Sequence, residues 1–127
     1  MDKLSGLQAE AKEDLIILDN EDLHQQSYKN QIIKPKWLDY KSKYRLHMFQ
    51  LKADHKRVYR QKWEYYGGKS DAKIYINSDD DIIDIELKIE YYETLVQFID
   101  GVIKSIDNRS WDIKHAQDWK KFVAGGF

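Results

Sequence analysis

The sequence predicts an all-α protein, a helical bundle built from long helices. Hydrophobic residues recur at steps of three and four through most of the 127-residue chain, which is the spacing of one helix face. One proline and six glycines are too few for a turn-rich β-sandwich. Charged residues make up 34% of the chain, a fraction that suits helices with wide solvated faces. At this length we expect one domain, residues 1–127.

Two helices are predicted in the N-terminal part. Residues 3–18 place leucine or alanine at steps of three or four, which indicates an amphipathic helix, although the last five of them also fit an extended segment. Asp19 or Asn20 can cap a second helix that runs to about Lys34. Because Pro35 lacks an N–H, we expect it in the first turn of a new helix or at a kink.

The helix predicted from residue 35 to residue 66 has an apolar and a cationic face side by side. Its cations follow one another at steps of four or seven, which keeps them on one side of a helix. They are Lys41, Arg45, Lys52, Lys56 and Arg60. Gly67 and Gly68 are expected to end this helix, because glycine readily adopts the left-handed conformation found at helix C-termini.

A connector over residues 69–77 is predicted next, and its residues 73–76 suit a short extended piece. Capping side chains and three successive aspartates at residues 77–81 then favour the start of a helix. This helix carries an unbroken apolar seam at alternating steps of three and four. The seam consists of Ile82, Ile85, Ile89, Tyr92, Val96, Ile99, Ile103 and Ile106. A second apolar stripe flanks it, so we expect self-association to cover the excess.

The last predicted element is a separate C-terminal helix. Residues 107–109 are expected to break the preceding helix, and Ser110 to cap the new one. His115 shares an apolar stripe with Trp119 and Phe122, and we interpret it as a hydrogen-bonded core residue.

The near-neutral net charge of −1 conceals a strongly basic middle. Residues 29–73 contain 13 Lys and Arg but only four Asp and Glu, a net charge of +9, whereas each flank carries −5. Aromatic residues interleave with these cations, and Tyr59, Trp63, Tyr65 and Tyr66 can stack on bases. The pattern fits a surface for a polyanion, and single-stranded nucleic acid in particular. The alternative is that the cations pair with acids of the flank at residues 80–90 and that the same aromatics pack in the core.

Catalytic and metal-binding motifs are missing from the sequence. The chain has no cysteine, and its four histidines lack zinc-site spacing. Gly67–Ser70 superficially resembles a phosphate loop, but the earlier glycine and the preceding strand are absent. We therefore expect a protein that is not an enzyme and uses neither metal nor cofactor. No apolar run has the length of a membrane span, and we expect an intracellular protein.

Three motifs occur in a fixed order along the chain. Lys36-Trp37-Leu38 follows Asn30, a Trp-Glu-Tyr-Tyr-Gly-Gly-Lys stretch occupies residues 63–69, and residues 113–125 read Ile-Lys-His-x-Gln-Asp-x-x-x-Phe-x-Ala-Gly. Together they resemble the UvsY recombination mediator family of T-even-type bacteriophages. The resemblance covers almost the whole chain. It implies a protein that acts in the cytoplasm of the infected bacterial host.

The resemblance also implies a function. Such proteins bind single-stranded DNA, and they help a RecA-like recombinase to replace the single-strand-binding protein on it. They assemble as rings of six or seven subunits through the C-terminal region. Residues 1–78 would then contain the DNA-binding segment, and residues 79–127 the oligomerisation helices. A different class stays open: a non-enzymatic helical scaffold or adaptor for an acidic protein partner.

The resemblance implies site residues as well. Arg60 and Lys62 match the family's two DNA-binding cations with the order exchanged, and we expect neighbouring cations to support them. The predicted DNA-binding set is Arg60, Lys62, Lys56, Arg57 and Lys69. The predicted oligomerisation set is Ile89, Tyr92, Val96, Ile99, Ile103, Ile106, Trp119 and Phe122.

Overall fold

The computed structural model describes residues 2–16 and 22–125. No β-strand occurs within these ranges, and the prediction of an all-α protein is confirmed. The elements, in chain order, are α1 (Asp2–Asp14), α2 (Leu23–Tyr65), α3 (Ala72–Asn77) and α4 (Asp80–Val123).

The chain forms two compact units. Unit 1 comprises Met1–Lys41 and Phe98–Phe127, and unit 2 comprises Ser42–Gln97. The long helices α2 and α4 each contribute to both units. The division of function at residue 78 remains a prediction.

In unit 1, helix α1 packs on the first half of α2 and the second half of α4. Trp37 of α2 is fully buried, and its indole N–H donates a 2.9 Å hydrogen bond to Asp14. Lys36 binds the carboxylate of Asp14 at 2.6 Å. The core of the unit consists of Leu7, Ala11, Ile33, Trp37, Ile99, Val102, Ile106 and Ile113. It fixes α1 on the two long helices.

Helix α2 starts later than predicted and does not end at Pro35. The predicted caps Asp19 and Asn20 lie outside the described residues. The Asp22 carboxylate instead accepts a 2.7 Å hydrogen bond from the Gln25 N–H, and the Gln25 Oε1 accepts one from the Asp22 N–H at 3.3 Å, which is a capping box. The prediction that a new helix starts at Pro35 is wrong, since α2 continues through this residue. The alternative of a kink at Pro35 stays a prediction.

Helix α4 likewise passes through its predicted break. Residues 107–110 are helical, and Ser110 is not an N-cap. Asn30 of α2 is buried and donates hydrogen bonds to Ser110 at 3.0 Å and to the Ile106 carbonyl at 3.4 Å. These contacts support the helix where the local sequence favours a stop. His115 is exposed beside Trp111, so its prediction as a core residue is wrong.

In unit 2, the turn after α2 and the short helix α3 connect the two long helices. Gly67 and Gly68 have φ angles of +87° and +66°, and their N–H groups bond to the carbonyls of Glu64 and Trp63. This Schellman motif confirms the predicted end of the helix. The extended piece predicted at residues 73–76 is wrong, because these residues belong to α3.

The start of α4 is capped as its aspartates predict. Asp79 accepts a 2.9 Å hydrogen bond from the Asp81 N–H. Asp80 and Asp81 lie in the first turn, near the positive end of the helix dipole. The fixed start of α4 places its carboxylates beside the end of α2 in unit 2.

Candidate nucleic-acid interface

Four cations of the predicted stripe form one exposed face of α2 in unit 2. We call this the cationic face: Arg45, Lys52, Lys56 and Arg60. All four side chains are exposed, and none has an ion pair with a carboxylate among the described residues. Lys41, the fifth member of the stripe, belongs to unit 1 and pairs there with Asp100 at 2.8 Å. The cationic face thus offers four positive charges without direct ion pairs among the described residues.

Phe49 fills the seven-residue step between Arg45 and Lys52. Its side chain is 50% exposed, and the guanidinium carbon of Arg45 lies 5.6 Å from its ring centroid. Steps of four and three place this ring on the same side of the helix as the cations. Sequence reasoning missed Phe49. The signal that could have found it is the seven-residue spacing between Arg45 and Lys52, because position 49 lies on the same side of the helix as these cations.

Three of the predicted DNA-binding residues lie together on the last turns of α2. Lys56 and Arg60 belong to the cationic face. Arg57 is exposed beside them, and it bonds to Asp54 of the same helix at 2.7 Å. An exposed pair of this kind is worth little, so a phosphate competes with it readily. Lys69 is exposed in the turn beyond Gly68.

Lys62 does not belong with these residues. Its ammonium lies 2.8 Å from Asp81 and 3.3 Å from Asp79, and its side chain is only 23% exposed. The hydrogen bond with Asp81 is the main reason that the pKa of Lys62 is raised. This cation is partly neutralised within the protomer, as the alternative of intramolecular pairing anticipated.

Most of the aromatics expected to stack on bases are used in the core of unit 2. Tyr59, Trp63 and Tyr66 pack against the buried cluster of Ala72, Ile76 and Ile82. The hydroxyl of Tyr66 donates a 2.8 Å hydrogen bond to Asp79, which raises the pKa of Tyr66. Tyr65 differs, since it is 77% exposed.

Acids of α4 border the cationic face on one side. A groove in unit 2 is lined by Lys52, His55 and Lys56 from α2 and by Glu86, Glu90 and Glu93 from α4. The Nε2 atom of His55 lies 3.1 Å from Glu86. Lys52 and Lys56 thus share this groove with three glutamates, which weaken the attraction of a polyanion on this side of the cationic face.

The predicted oligomerisation residues have different environments. Ile99 and Ile106 are fully buried within unit 1, so they offer no surface to a second subunit. Ile89, Tyr92, Val96 and Ile103 are half-buried. Trp119 and Phe122 are 65% and 55% exposed, and their rings stack with centroids 5.5 Å apart. The role of the set in assembly stays a prediction.

The part of the chain that the structure describes contains no group of three His, Asp or Glu residues placed to hold a metal ion. None of its helices combines the length and apolar character needed to span a bilayer.

Comparison with known proteins shows the family to which the chain belongs. The sequence model of the family described as "Recombination, repair and ssDNA binding protein UvsY" matches residues 10–126. The chain is therefore a member of a class of DNA recombination and repair proteins. More specifically, it belongs to the UvsY family, as the three motifs indicated.

Relatives in sequence and in structure agree with this assignment. The recombination protein uvsY of Enterobacteria phage T4 is 29% identical over 136 residues, covering 97% of this chain and 98% of the relative. Two crystal forms of the bacteriophage T4 recombination mediator protein UvsY superpose with TM-scores of 0.84 and 0.85 at 27% identity. They cover 95% and 96% of this chain and 98% of the crystallised chains.

Proposed function

We propose that this protein is a recombination mediator that binds single-stranded DNA. The observation that carries the proposal is the coincidence of two features. The family match spans nearly the whole chain, and the basic segment within that match presents four exposed cations without carboxylate partners among the described residues. Cations at helical spacing neutralise successive phosphates and release counterions, which gives affinity that depends on salt.

The predicted DNA-binding residues have unequal parts in this proposal. Lys56, Arg60 and Lys69 meet phosphates directly, and Arg57 joins them by exchanging Asp54 for a phosphate. Lys62 has to leave Asp81, whose side chain is itself 67% exposed, before it can bind DNA. Lys62 thus contributes less at first contact than Arg60 does.

Self-association brings several copies of the cationic face into one particle. We propose a homo-oligomer of six or seven subunits, in which the exposed Trp119 and Phe122 and the half-buried Ile89, Tyr92, Val96 and Ile103 make contacts. Ile99 and Ile106 make no contact between subunits in this proposal, but they stabilise the protomer by packing in its core. Repeated copies of the cationic face then bind one strand with avidity.

The assembled protein acts in the cytoplasm of the infected bacterial host without catalysis of its own. It competes with the single-strand-binding protein for DNA and presents the strand to a RecA-like recombinase. Residues 1–78 supply the DNA contacts, and residues 79–127 supply assembly. The fit of the family description and the placement of the exposed cations support this sequence of events.

The test compares two charge-matched double variants. Lys56→Ala/Arg60→Ala removes two cations of the cationic face, and Lys104→Ala/Lys114→Ala removes two exposed cations of α4. Affinity for an oligothymidylate is measured by fluorescence anisotropy between 50 and 300 mM salt. We expect the first variant to bind more weakly and to reduce the slope of log affinity against log salt by about 1.4 for each subunit that contacts the strand, since each phosphate contact contributes about 0.7.

The control variant should retain the affinity and slope of the unmodified chain. Equal behaviour of the two variants would rule out the cationic face as the DNA site. Stable self-association with no retention of the oligothymidylate at low salt would instead favour the scaffold for an acidic protein. Recombinase ATP hydrolysis on DNA coated with single-strand-binding protein tests the mediator step: the unmodified chain should shorten its lag, and Lys56→Ala/Arg60→Ala should not.

A further inference from the structure

We infer that Phe49 is a base-stacking position, flanked by Arg45 and Lys52, at which one nucleobase of the bound strand lies on the phenyl ring. This inference rests on the proposed function and adds a residue that the basic motif near Arg60 does not contain. It makes part of the affinity depend on bases and the rest on phosphates.

The first argument is the availability of aromatic rings. A strand can stack only on a ring that is open to solvent. Tyr59, Trp63 and Tyr66 pack on the core of unit 2, and Tyr66 also stacks on Tyr75 at a centroid distance of 5.6 Å. Phe49, with half of its surface exposed, is the aromatic residue that the cationic face itself presents.

The second argument is the order of charge and ring along the helix. Arg45 lies one turn before Phe49, and Lys52 lies about one turn after it. With a rise of about 1.5 Å per residue, Arg45 precedes the ring by about 6 Å along the axis and Lys52 follows it by about 4.5 Å. A nucleotide strand has the complementary order, because each internal base is flanked by two phosphates along the backbone. Cation, ring and cation therefore match phosphate, base and phosphate.

The third argument excludes a second copy of the same face as the occupant. Pairing two cationic faces would bring eight positive side chains together with no carboxylate of that face to separate them, which is unfavourable. A nucleic acid supplies a flat apolar partner for the ring and negative charge for its neighbours in one molecule. The Arg45 guanidinium, 5.6 Å from the ring centroid, is placed to extend the same platform.

The test separates bases from phosphates. A short oligothymidylate of about eight nucleotides is compared with an abasic oligomer of equal length, which has the same phosphates but no rings. Three variants are measured: Phe49→Leu keeps an apolar side chain without the ring, Phe49→Trp enlarges the ring, and Leu46→Ala shortens an exposed apolar neighbour that lies off the cationic face. Circular dichroism and sedimentation check that each variant keeps its helicity and assembly.

We expect Phe49→Leu to weaken oligothymidylate binding about five- to 150-fold, the range for one lost base–aromatic stack. Its affinity for the abasic oligomer and its salt slope should stay unchanged. Phe49→Trp should bind the oligothymidylate at least as tightly as the unmodified chain. Leu46→Ala should behave like the unmodified chain on both ligands.

Several outcomes overturn the inference. It fails if Phe49→Leu binds the oligothymidylate as tightly as the unmodified chain does, or if this variant loses affinity for both ligands to the same degree. It also fails if Leu46→Ala shows the same loss as Phe49→Leu. A different outcome overturns the proposed function, namely that the unmodified chain itself does not bind the oligothymidylate at low salt. Binding by the unmodified chain together with an unaffected Phe49→Leu leaves the function standing and removes only the stacking position.

Discussion

Asp79 connects the end of α2, the turn and the start of α4 through a single carboxylate. One oxygen accepts hydrogen bonds from the Tyr66 hydroxyl at 2.8 Å and the Lys62 ammonium at 3.3 Å. The other accepts the Asp81 N–H at the first turn of α4. The hydrogen bond from Tyr66 is the largest influence holding the pKa of Asp79 below its usual value. The charged form of Asp79 therefore stabilises the folded state.

We expect Asp79→Asn to lower the thermal midpoint at pH 7 by several degrees, because the amide keeps the shape but loses the charge. A depressed folded pKa means that the stabilisation by Asp79 is present above its unfolded pKa, near 4, and is lost as the pH falls through the folded value. The difference between the variant and the unmodified chain should thus shrink below about pH 4. Thermal unfolding followed by circular dichroism from pH 7 to pH 3 measures it.

The control for this experiment is Asp71→Asn. Asp71 precedes α3 but makes no capping hydrogen bond through its side chain. Its replacement should leave the midpoint close to that of the unmodified chain. A constant difference between Asp79→Asn and the unmodified chain down to pH 3 would argue against a role for the charge.

For single residues, the sequence predicted which cations share one side of α2 but not which of them remain free of ion pairs and so available to phosphates. Helical periodicity places Arg60 and Lys56 on one side of α2 irrespective of the rest of the fold. Lys62 forms ion pairs with two aspartates, and these come close to it only because α3 and its flanking turns reverse the chain. The seven-residue spacing between Arg45 and Lys52 pointed to Phe49. Its proposed role follows from the packing of Tyr59, Trp63 and Tyr66 on the core, whereas the exposed Tyr65 lies on another side of α2.

Helices α2 and α4, at 43 and 44 residues, continue where local signals favour an end. Pro35 withholds a backbone hydrogen bond, yet Ile33 and Trp37 on either side of it are buried in unit 1. Arg109 is also buried, and it donates a 3.3 Å hydrogen bond to the Asp14 carbonyl. Tertiary burial outweighs propensity at both positions, and a single sequence cannot reveal that burial.

Pro35→Ala is expected to stabilise α2. Pro35 is exposed, so the change restores the missing N–H and removes a ring clash without opening a cavity. The expected gain is about 1–3 kcal/mol, because the cost of about 3 kcal/mol for an interior proline is partly offset by its restriction of the unfolded chain. The denaturant midpoint measures it.

Gln31→Ala, at an exposed position one turn earlier, serves as the matched control and should change stability by less than about 0.5 kcal/mol. A loss of stability in Pro35→Ala would mean that proline suits the helix at this position, contrary to the argument from its missing N–H.

For the whole molecule, charge is segregated along the chain while the net charge is only −1. Attraction to DNA then depends on local fields within about a Debye length of the cationic face. Under the proposed function, one cationic face binds weakly, and the proposed assembly raises the affinity for long strands. The sequence predicted this segregation directly, because formal charge needs no knowledge of the fold.

Trp119→Ala/Phe122→Ala is expected to reduce the proposed ring-shaped oligomer to smaller species. The variant loses the contact area of two large exposed aromatic side chains, and aromatic residues are frequent anchors of interfaces. Affinity for long oligothymidylates should fall roughly tenfold or more, whereas an oligomer short enough for one protomer should bind as before. Sedimentation equilibrium and anisotropy provide the two readings.

Trp111→Ala is the comparison, since Trp111 is similarly exposed on α4 but lies outside the predicted oligomerisation set. An unchanged mass for Trp119→Ala/Phe122→Ala would remove these two residues from the interface. A mass reduced only by Trp111→Ala would move the contact about two to three turns earlier along α4.

The unbroken length of α4 constrains how sequences of this kind can diverge. One residue inserted in its middle would rotate everything beyond the insertion by about 100°, turning Ile99 and Ile106 out of the core. One residue inserted in the turn at residues 66–71 would rotate neither long helix. The alignment with the phage T4 relative spans 136 positions against 127 residues here, so it contains gaps. Insertions and deletions in the lineage should therefore have accumulated at turns, while the long helices changed by substitution alone.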